Sequence, residues 1–516
     1  MFSNSATQRR QFLKLGLIGT VGPVLLVACG GGQSAAPTAA PAKAGAAPTT
    51  AAVAPAAAPT AAKPAQSSSA SAVPTNTPAA AGAQLLPTTT AEAAIDVSNV
   101  PKPVAPMSGE LVLWHDWGNT SGGGLAMIDL VNAFMKLYPN VKMTNVYDTS
   151  QQKYLAAIAS GNVPDLLKLN AFDIPTLGQR GALMALDSYI SRDNWDMKQY
   201  FDFAVQQCSW AGKVVAVTHH PDIRCVFVDQ GIFSDVGLDP TKAPASWDDI
   251  VNWGTKISTQ KGGRYTRFGY VPAWTANPWP TQVMQANGAT LMSDDGHKAT
   301  FNSDASVAAL QWALDATDQI DGGYNNTVEF SAANKTAQGS GDYWMFPHDL
   351  IGMCLEGNWF WAPVTIVNPG MKVINGMFPG GPAAEGQQFV FGGGTMVSIL
   401  KGAKHADLAW EWLKFLGSPV GGYLVQARTS DVSGNIAAAN DPRILDKNLG
   451  RQQILPLFMK ANRFHYLASP ISNQFDDEMT RMGQKILLKQ SSVKQALTDS
   501  TKNVQKAFDD FWASQT

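Results

Sequence analysis

Leu111-Val112-Leu113-Trp114, the run 141–147 and Asp165-Leu166-Leu167-Lys168-Leu169 are three apolar stretches separated by two helical patterns, 125–137 and 151–159. Their order decides the fold. The first stretch follows the turn-forming Ser108-Gly109 and reads as a strand. Gly122-Gly123-Gly124 opens the first helical pattern and Pro139 stops it. In the second stretch Val141, Met143 and Asn145 share one face, and Gly161 ends the helix that follows. Strand, helix, strand, helix, strand within about 60 residues predicts a parallel sheet with helices on its faces. Ligands on such sheets bind beyond the carboxyl ends of the strands. Those ends carry Trp114, Asp116 and Trp117 after the first strand, and Asn170 and Asp173 after the third.

Alternation continues downstream. The runs 212–217 and 225–228 read as two strands bracketing Thr218-His219-His220-Pro221. Residues 247–257 read as a helix capped by Ser246, 303–317 as a second, and 406–416 as a third that ends at Gly417. Residues 396–400 read as a strand, and the last 40 residues or so as amphipathic helix. From Ser108 to the end there are about 409 residues. A single core rarely grows that large, so two lobes are expected.

The first 28 residues are of another kind. Arg9-Arg10-Gln11-Phe12-Leu13-Lys14 precedes an apolar run that ends in Leu26-Val27-Ala28-Cys29. A paired arginine, a short hydrophobic region and small residues before a boundary make an export signal, 1–28. It resembles the twin-arginine type, although Gln8 stands where that signal usually has Ser or Thr. The tetrapeptide resembles a bacterial lipobox, in which Cys29 is lipidated and holds the protein on the outer face of a membrane. Only 14 residues lie between Lys14 and Cys29, too few for the ~20 needed to span a bilayer. Residues 29–106 are rich in Ala, Pro, Thr and Ser, and no aromatic residue occurs between Phe12 and Trp114. Such a segment cannot bury enough apolar area to offset its ordering entropy. It reads as a disordered tether whose ends lie ~50 Å apart as a flexible coil.

Charge narrows the partners. Removing Arg9, Arg10 and Lys14 leaves 35 basic against 40 acidic side chains. With no basic patch, nucleic acid is not an expected partner. Three cysteines remain beyond Cys29, namely Cys208, Cys225 and Cys354. An exported chain permits one disulfide among them, and sequence leaves the pairing open. His219-His220 with Cys225 invites a metal reading. Adjacent residues of an extended chain point to opposite sides, and no four-ligand spacing is visible, so no metal or cofactor is expected. No Gly-x-Ser-x-Gly elbow with its partners and no His-Glu-x-x-His occurs. An exported glycosidase, needing two facing carboxylates, stays open as the competing class.

Several segments carry a family likeness. They are Ala286-Asn287-Gly288-Ala289-Thr290-Leu291 followed by Asp294-Asp295-Gly296-His297-Lys298-Ala299-Thr300-Phe301-Asn302-Ser303, then Gly352-Met353-Cys354-Leu355-Glu356-Gly357-Asn358-Trp359. Gly392-Gly393-Gly394-Thr395-Met396-Val397-Ser398-Ile399 with the helix after it, and Trp247-Asp248-Asp249, complete the set. In this order the chain resembles the extracellular solute-binding proteins of the sugar-binding type, family 1 of the ABC importer receptors. The resemblance implies an α/β, two-lobed periplasmic-binding-protein fold: a clamshell of discontinuous lobes joined by crossover strands. Mapped here, lobe one is 107–220 with 376–428, and lobe two is 221–375 with 429–516. It also implies no catalytic step. A monomeric receptor would capture a small solute and hand it to the permease of an ABC importer.

A sugar offers C–H faces for aromatic stacking and hydroxyls for polar groups. Trp114, Asp116, Trp117, Asn170 and Asp173 are the strand-end candidates. Trp274 and Trp279 flank a proline-broken loop from which the resemblance implies an aromatic in the cleft. Trp359, with Trp361 beside it, holds the family's second-lobe aromatic position. His220, Asp222 and Arg224 fall on the first crossover and Arg428 near a later one. Gly393 and Gly394 let backbone N–H groups approach a ligand. Trp312, Trp410 and Trp412 sit on helices and read as core. Polyols and glycerol phosphate esters are alternative solutes for the same architecture.

Overall fold

The computed structural model describes residues 107–272, 279–334, 345–445, 449–460, 464–465 and 469–514. The export signal, the tether and Trp274 lie outside them. Lobe one begins with β1 (Gly109–Trp114), α1 (Gly122–Leu137), β2 (Val141–Val146), α2 (Gln151–Ser160), β3 (Leu166–Asn170) and α3 (Asp173–Gln179). Each helix start has a local cause. The Ser121 hydroxyl accepts from the Gly124 N–H at 3.1 Å, and Ser150 from Lys153 at 3.3 Å. Gly161 closes α2 with φ 71°, the left-handed turn that suits glycine. β1 pairs in parallel with both β2 and β3, as the alternation predicts.

β4 (Val217–Asp229) is a single strand of 13 residues, buried throughout. This corrects the expectation of two strands broken at 218–221. Lobe two follows with α4 (Trp247–Ile257), α5 (Trp279–Ala286), α6 (Asp304–Asp321), β5 (Met353–Gly357) and β6 (Val373–Gly376). Ser246 and Asp249 form a reciprocal capping box on α4. β7 (Gln388–Ile399) then returns to lobe one, where α7 (Ala406–Gly417) and α8 (Pro419–Arg428) complete the layer. α9 (Leu449–Lys460), α10 (Ser472–Leu487) and α11 (Val493–Ala513) close the chain.

β7 lies between β3 and β4 and is antiparallel to both. The amino-terminal half of β4 pairs with β7, and its carboxyl half pairs with β5 and β6. β4 and β7 are therefore the two adjacent crossovers between lobes. On one face of the lobe-one sheet Leu111, Leu113, Leu166 and Val397 pack against Phe134 of α1 and Trp410, Trp412 and Phe415 of the α7 region. The other face carries Leu167, Leu169 and Met396 against Tyr154 and Ile174. Lobe two centres on Trp247, Phe301, Leu310, Phe475 and Phe508. A third core joins Phe201 and Phe203 to Phe227, Phe360, Trp361 and Phe458. Cys208, Cys225 and Cys354 are buried and free. Among the described residues no helix is long and apolar enough to cross a membrane.

Candidate binding site at the crossovers

The site is built where the crossovers meet the strand ends of lobe one. Pro221, inside β4, has no N–H to give the ladder. It lies opposite Gly394 of β7, whose φ is +123°. A Cβ on Gly394 would stand 2.8 Å from the His220 carbonyl oxygen and 2.9 Å from the Asp222 nitrogen. A Cβ on Gly393 would reach Asp222 Oδ2 at 3.0 Å. The two glycines therefore let the crossovers approach each other.

One position on, the register slips. Thr395 opposes His220 and Met396 opposes Thr218, which leaves His219 as an extra residue in β4. Such a bulge breaks the alternation of side chains. The two imidazoles consequently meet, Nδ1 to Nδ1 at 2.8 Å. The expectation that adjacent histidines point apart fails here for that reason.

Trp117 stands against this pair. Its ring is stacked on His220 at 6.2 Å and tilted against His219 at 4.9 Å. Gly123 at the start of α1 lies against the indole, where a Cβ would come within 2.6 Å. The Lys168 ammonium sits 4.4 Å from the ring centroid, a cation–π arrangement. Lys168 is 4 % exposed. It donates to Asp116 Oδ1 at 2.9 Å and to Asn170 Oδ1 at 3.2 Å. The Asn170 N–H donates to Asp173 Oδ2 at 3.2 Å, and Gln151 Nε2 to Asp173 Oδ1 at 3.4 Å. Burial raises the Asp173 carboxyl above its usual range, opposed by its hydrogen bonds and by Lys168. Lys168 thus gathers Asp116, Trp117 and Asn170 into one cluster, with Asp173 behind Asn170. Trp114 is not in it. It lies with the core of the opposite sheet face, under the Lys153 ammonium at 4.5 Å. His115 is buried beside Trp117 and Tyr147, and burial lowers its imidazole to about 4.

Behind the histidines a second polar network ties the crossovers to lobe two. Arg224 lies 3.5 Å from Asp222 Oδ2 and 3.8 Å from Glu356 Oε2, all three buried. Its guanidinium thus lies between carboxylates of β4 and β5. Asn358, fully buried, accepts from the Ile223 N–H at 2.9 Å. Its own N–H donates to Asp222 Oδ1 at 3.2 Å, and its Nδ2 to Asp431 Oδ1 at 3.1 Å. Asp431 Oδ2 is 3.5 Å from His220 Nε2. Burial pushes the Asp431 carboxyl up to about 7, opposed by Arg451. Burial raises Asp222 too, opposed by Arg224. His220 is lowered to about 3 and His219 falls well below the usual imidazole range, both through burial first.

Other expected positions fall elsewhere. Trp359 directly follows Asn358, half-buried, edge-on to Phe360. Trp361 is 5 % exposed, donates to Asn375 Oδ1 at 2.9 Å and packs against Phe227. Trp279 is 7 % exposed in the lobe-two core, with Gly483 of α10 against its indole. Arg428 holds Asp129 of α1 with two nitrogens, Nε at 2.5 Å and Nη2 at 3.1 Å. Trp361, Trp279 and Arg428 thus each have a partner within the fold. Lys168, Asn358 and Asp431 were not expected. A lone cation inside Leu166-Leu167-Lys168-Leu169 was a legible signal, because a central strand buries a charge only with a partner. Asn358 and Asp431 carried no local signal.

Comparison with known proteins agrees with this architecture. The chain belongs to the bacterial extracellular solute-binding proteins, whose family model matches residues 117–423. It is 25 % identical over 309 residues to the diacetylchitobiose binding protein DasA of Streptomyces coelicolor, covering 56 % of this chain and 67 % of that one. It is 22 % identical over 302 residues to the arabinooligosaccharide-binding protein of Bacillus subtilis, covering 56 % and 65 %. The matched region thus spans about two thirds of the length of these relatives. Among solved structures, CpMnBP1 with mannotriose bound superimposes with a TM-score of 0.66 at 21 % identity, over 76 % of this chain and 99 % of that one. The fold is the two-lobed one of periplasmic binding proteins.

Proposed function

We propose that this protein is a membrane-tethered receptor that captures a mono- or oligosaccharide between its lobes and delivers it unchanged to an ABC importer permease. The observation that carries the reading is the cluster of Asp116, Trp117, Lys168 and Asn170 at the strand ends of lobe one. It is joined through the crossovers to Asn358 and Trp359 of lobe two. Aromatic faces suit sugar C–H patches, and the carboxylate and amide groups suit hydroxyls. The names of the relatives, which bind diacetylchitobiose and arabinooligosaccharides, support the same solute class. Lipidation of Cys29 would hold a monomer on the outer membrane face, with the tether giving it reach to the permease.

Calorimetric titration with mannotriose, diacetylchitobiose and arabinotriose tests the reading. Saturable binding of one of them, with the sugar recovered intact, is expected. Hydrolysis of the recovered sugar would replace the receptor with an enzyme, and no binding of any saccharide would remove the solute class.

A further inference from the structure

The contact between His219 Nδ1 and His220 Nδ1, 2.8 Å long and buried, has a strict consequence. Two imidazole nitrogens at that separation hold one proton between them, since two protons would clash and none would leave two lone pairs opposed. The tautomers of the two rings are therefore coupled. If His220 carries its proton on Nδ1, His219 Nδ1 is bare and its proton is on Nε2. If His219 carries it on Nδ1, His220 is protonated on Nε2. That Nε2 faces Asp431 Oδ2 at 3.5 Å. The far end of the chain, His219 Nε2, is buried without a hydrogen-bond partner among the described residues.

We propose that Asp431, His220 and His219 form a proton relay in which ionisation of Asp431 converts His219 Nε2 from a hydrogen-bond donor into an acceptor. With Asp431 protonated, its O–H donates to His220 Nε2, His220 Nδ1–H donates to His219 Nδ1, and His219 Nε2 carries a hydrogen. On ionisation the carboxyl proton passes to His220 Nε2. The Nδ1 proton of His220 passes to His219 Nδ1, and the Nε2 proton of His219 leaves to water. One proton is lost in total, and both rings stay neutral throughout.

The surroundings suit a carboxyl as the group that titrates. Asp431 faces Arg451 of α9, Asp222 and His220 of β4, and Asn358. His220 faces Asp222 and Lys168 besides Asp431, with the Thr395 hydroxyl 3.4 Å from Nδ1. His219 faces Lys168 and His115. The Lys168 ammonium opposes a charge on either imidazole, as does burial. His219 also lies against Trp117, so the switched nitrogen belongs to the cluster at the strand ends. The relay is a property of the protein and stands whether or not the solute is a sugar.

Nitrogen NMR of the full-length chain, labelled on histidine and titrated between about pH 5 and 9, tests it. His219→Asn identifies the His219 signals by their loss. In the wild type, His219 Nε2 should change from protonated to bare with a midpoint near 7, while His219 Nδ1 changes the other way. In Asp431→Asn the change should vanish. A single tautomer of His219 across the wild-type titration overturns the relay, as does an unchanged midpoint in Asp431→Asn, which would assign the titration to Asp222 or another group. The wild-type titration decides even if the variant does not fold.

Discussion

Replacing Gly394 with alanine asks whether the glycine run of β7 serves the strands or a ligand. At φ +123° a side chain strains the backbone, at ~1–3 kcal/mol for such conformations. The added Cβ also meets two atoms of β4, the His220 oxygen at 2.8 Å and the Asp222 nitrogen at 2.9 Å. Neither is the end of a flexible side chain, so the crossovers must separate. Overpacking of this kind costs ~1–3 kcal/mol. Together the two effects come to about 4 kcal/mol. A folded region of about 400 residues has an unfolding entropy near 0.8 kcal/mol per degree, from ~2.1 cal/mol/K per residue. Gly394→Ala should therefore lower Tm by about 5 °C in differential scanning calorimetry. A Tm within about 1 °C of wild type, with saccharide affinity lost, would refute the packing argument and return Gly394 to the ligand.

Trp361→Ala removes an indole from the third core and leaves Asn375 Oδ1 without its donor, so it should cost ~3–5 kcal/mol of stability by urea unfolding. Trp359→Ala should instead weaken saccharide binding by ~2–4 kcal/mol if the half-buried ring is an anchor, and a change below ~0.5 kcal/mol in a calorimetric titration would remove it from the site. Cys29→Ala should release the protein from the membrane fraction with unchanged affinity, and retention there would deny the lipid anchor. Burial raises Asp431 from 3.8 to about 7, so the folded state binds that proton more tightly than the unfolded chain. Its contribution is complete below pH ~4 and is lost as pH rises toward ~7. Asp431→Asn should then gain stability relative to wild type over that window, and parallel pH–stability curves would contradict the assigned titration.

The parallel start of lobe one was open to reading because each signal is local. Period-2 and period-3.6 patterns mark β1 to β3 with their helices, and farther along the chain Ser246 and Ser303 mark the starts of α4 and α6. β4 was misread because Pro221 looks like a break. It is tolerated because Gly394 opposite has no side chain and needs no N–H from that position, a fact that lies 173 residues away. The bulge at His219 has the same character, since it arises from register with β7 and has no mark in the sequence around it. Within the candidate cluster, Asp116, Trp117 and Asn170 lie where the strand-end rule points. Trp114 was placed with them, but it shares parity with Val112 and so faces the other side of the sheet. Trp361 and Trp359 are two residues apart on a helical turn, which sends one into the core and leaves the other half-exposed.

The insertion of β7 between β3 and β4 also governs when the protein can fold. Lobe one cannot close its sheet, and β4 cannot cover its amino-terminal half, until residues 388–399 exist. More than 200 residues of chain separate β3 from this neighbour, a pairing of high contact order and correspondingly slow assembly. Any chain ending before residue 388 leaves β3 with an unpaired edge, open to association with other strands. Both lobes therefore wait for this one late strand, and the core around Trp247 and Phe301 waits longer still, until Phe475 of α10 and Phe508 of α11 have been made.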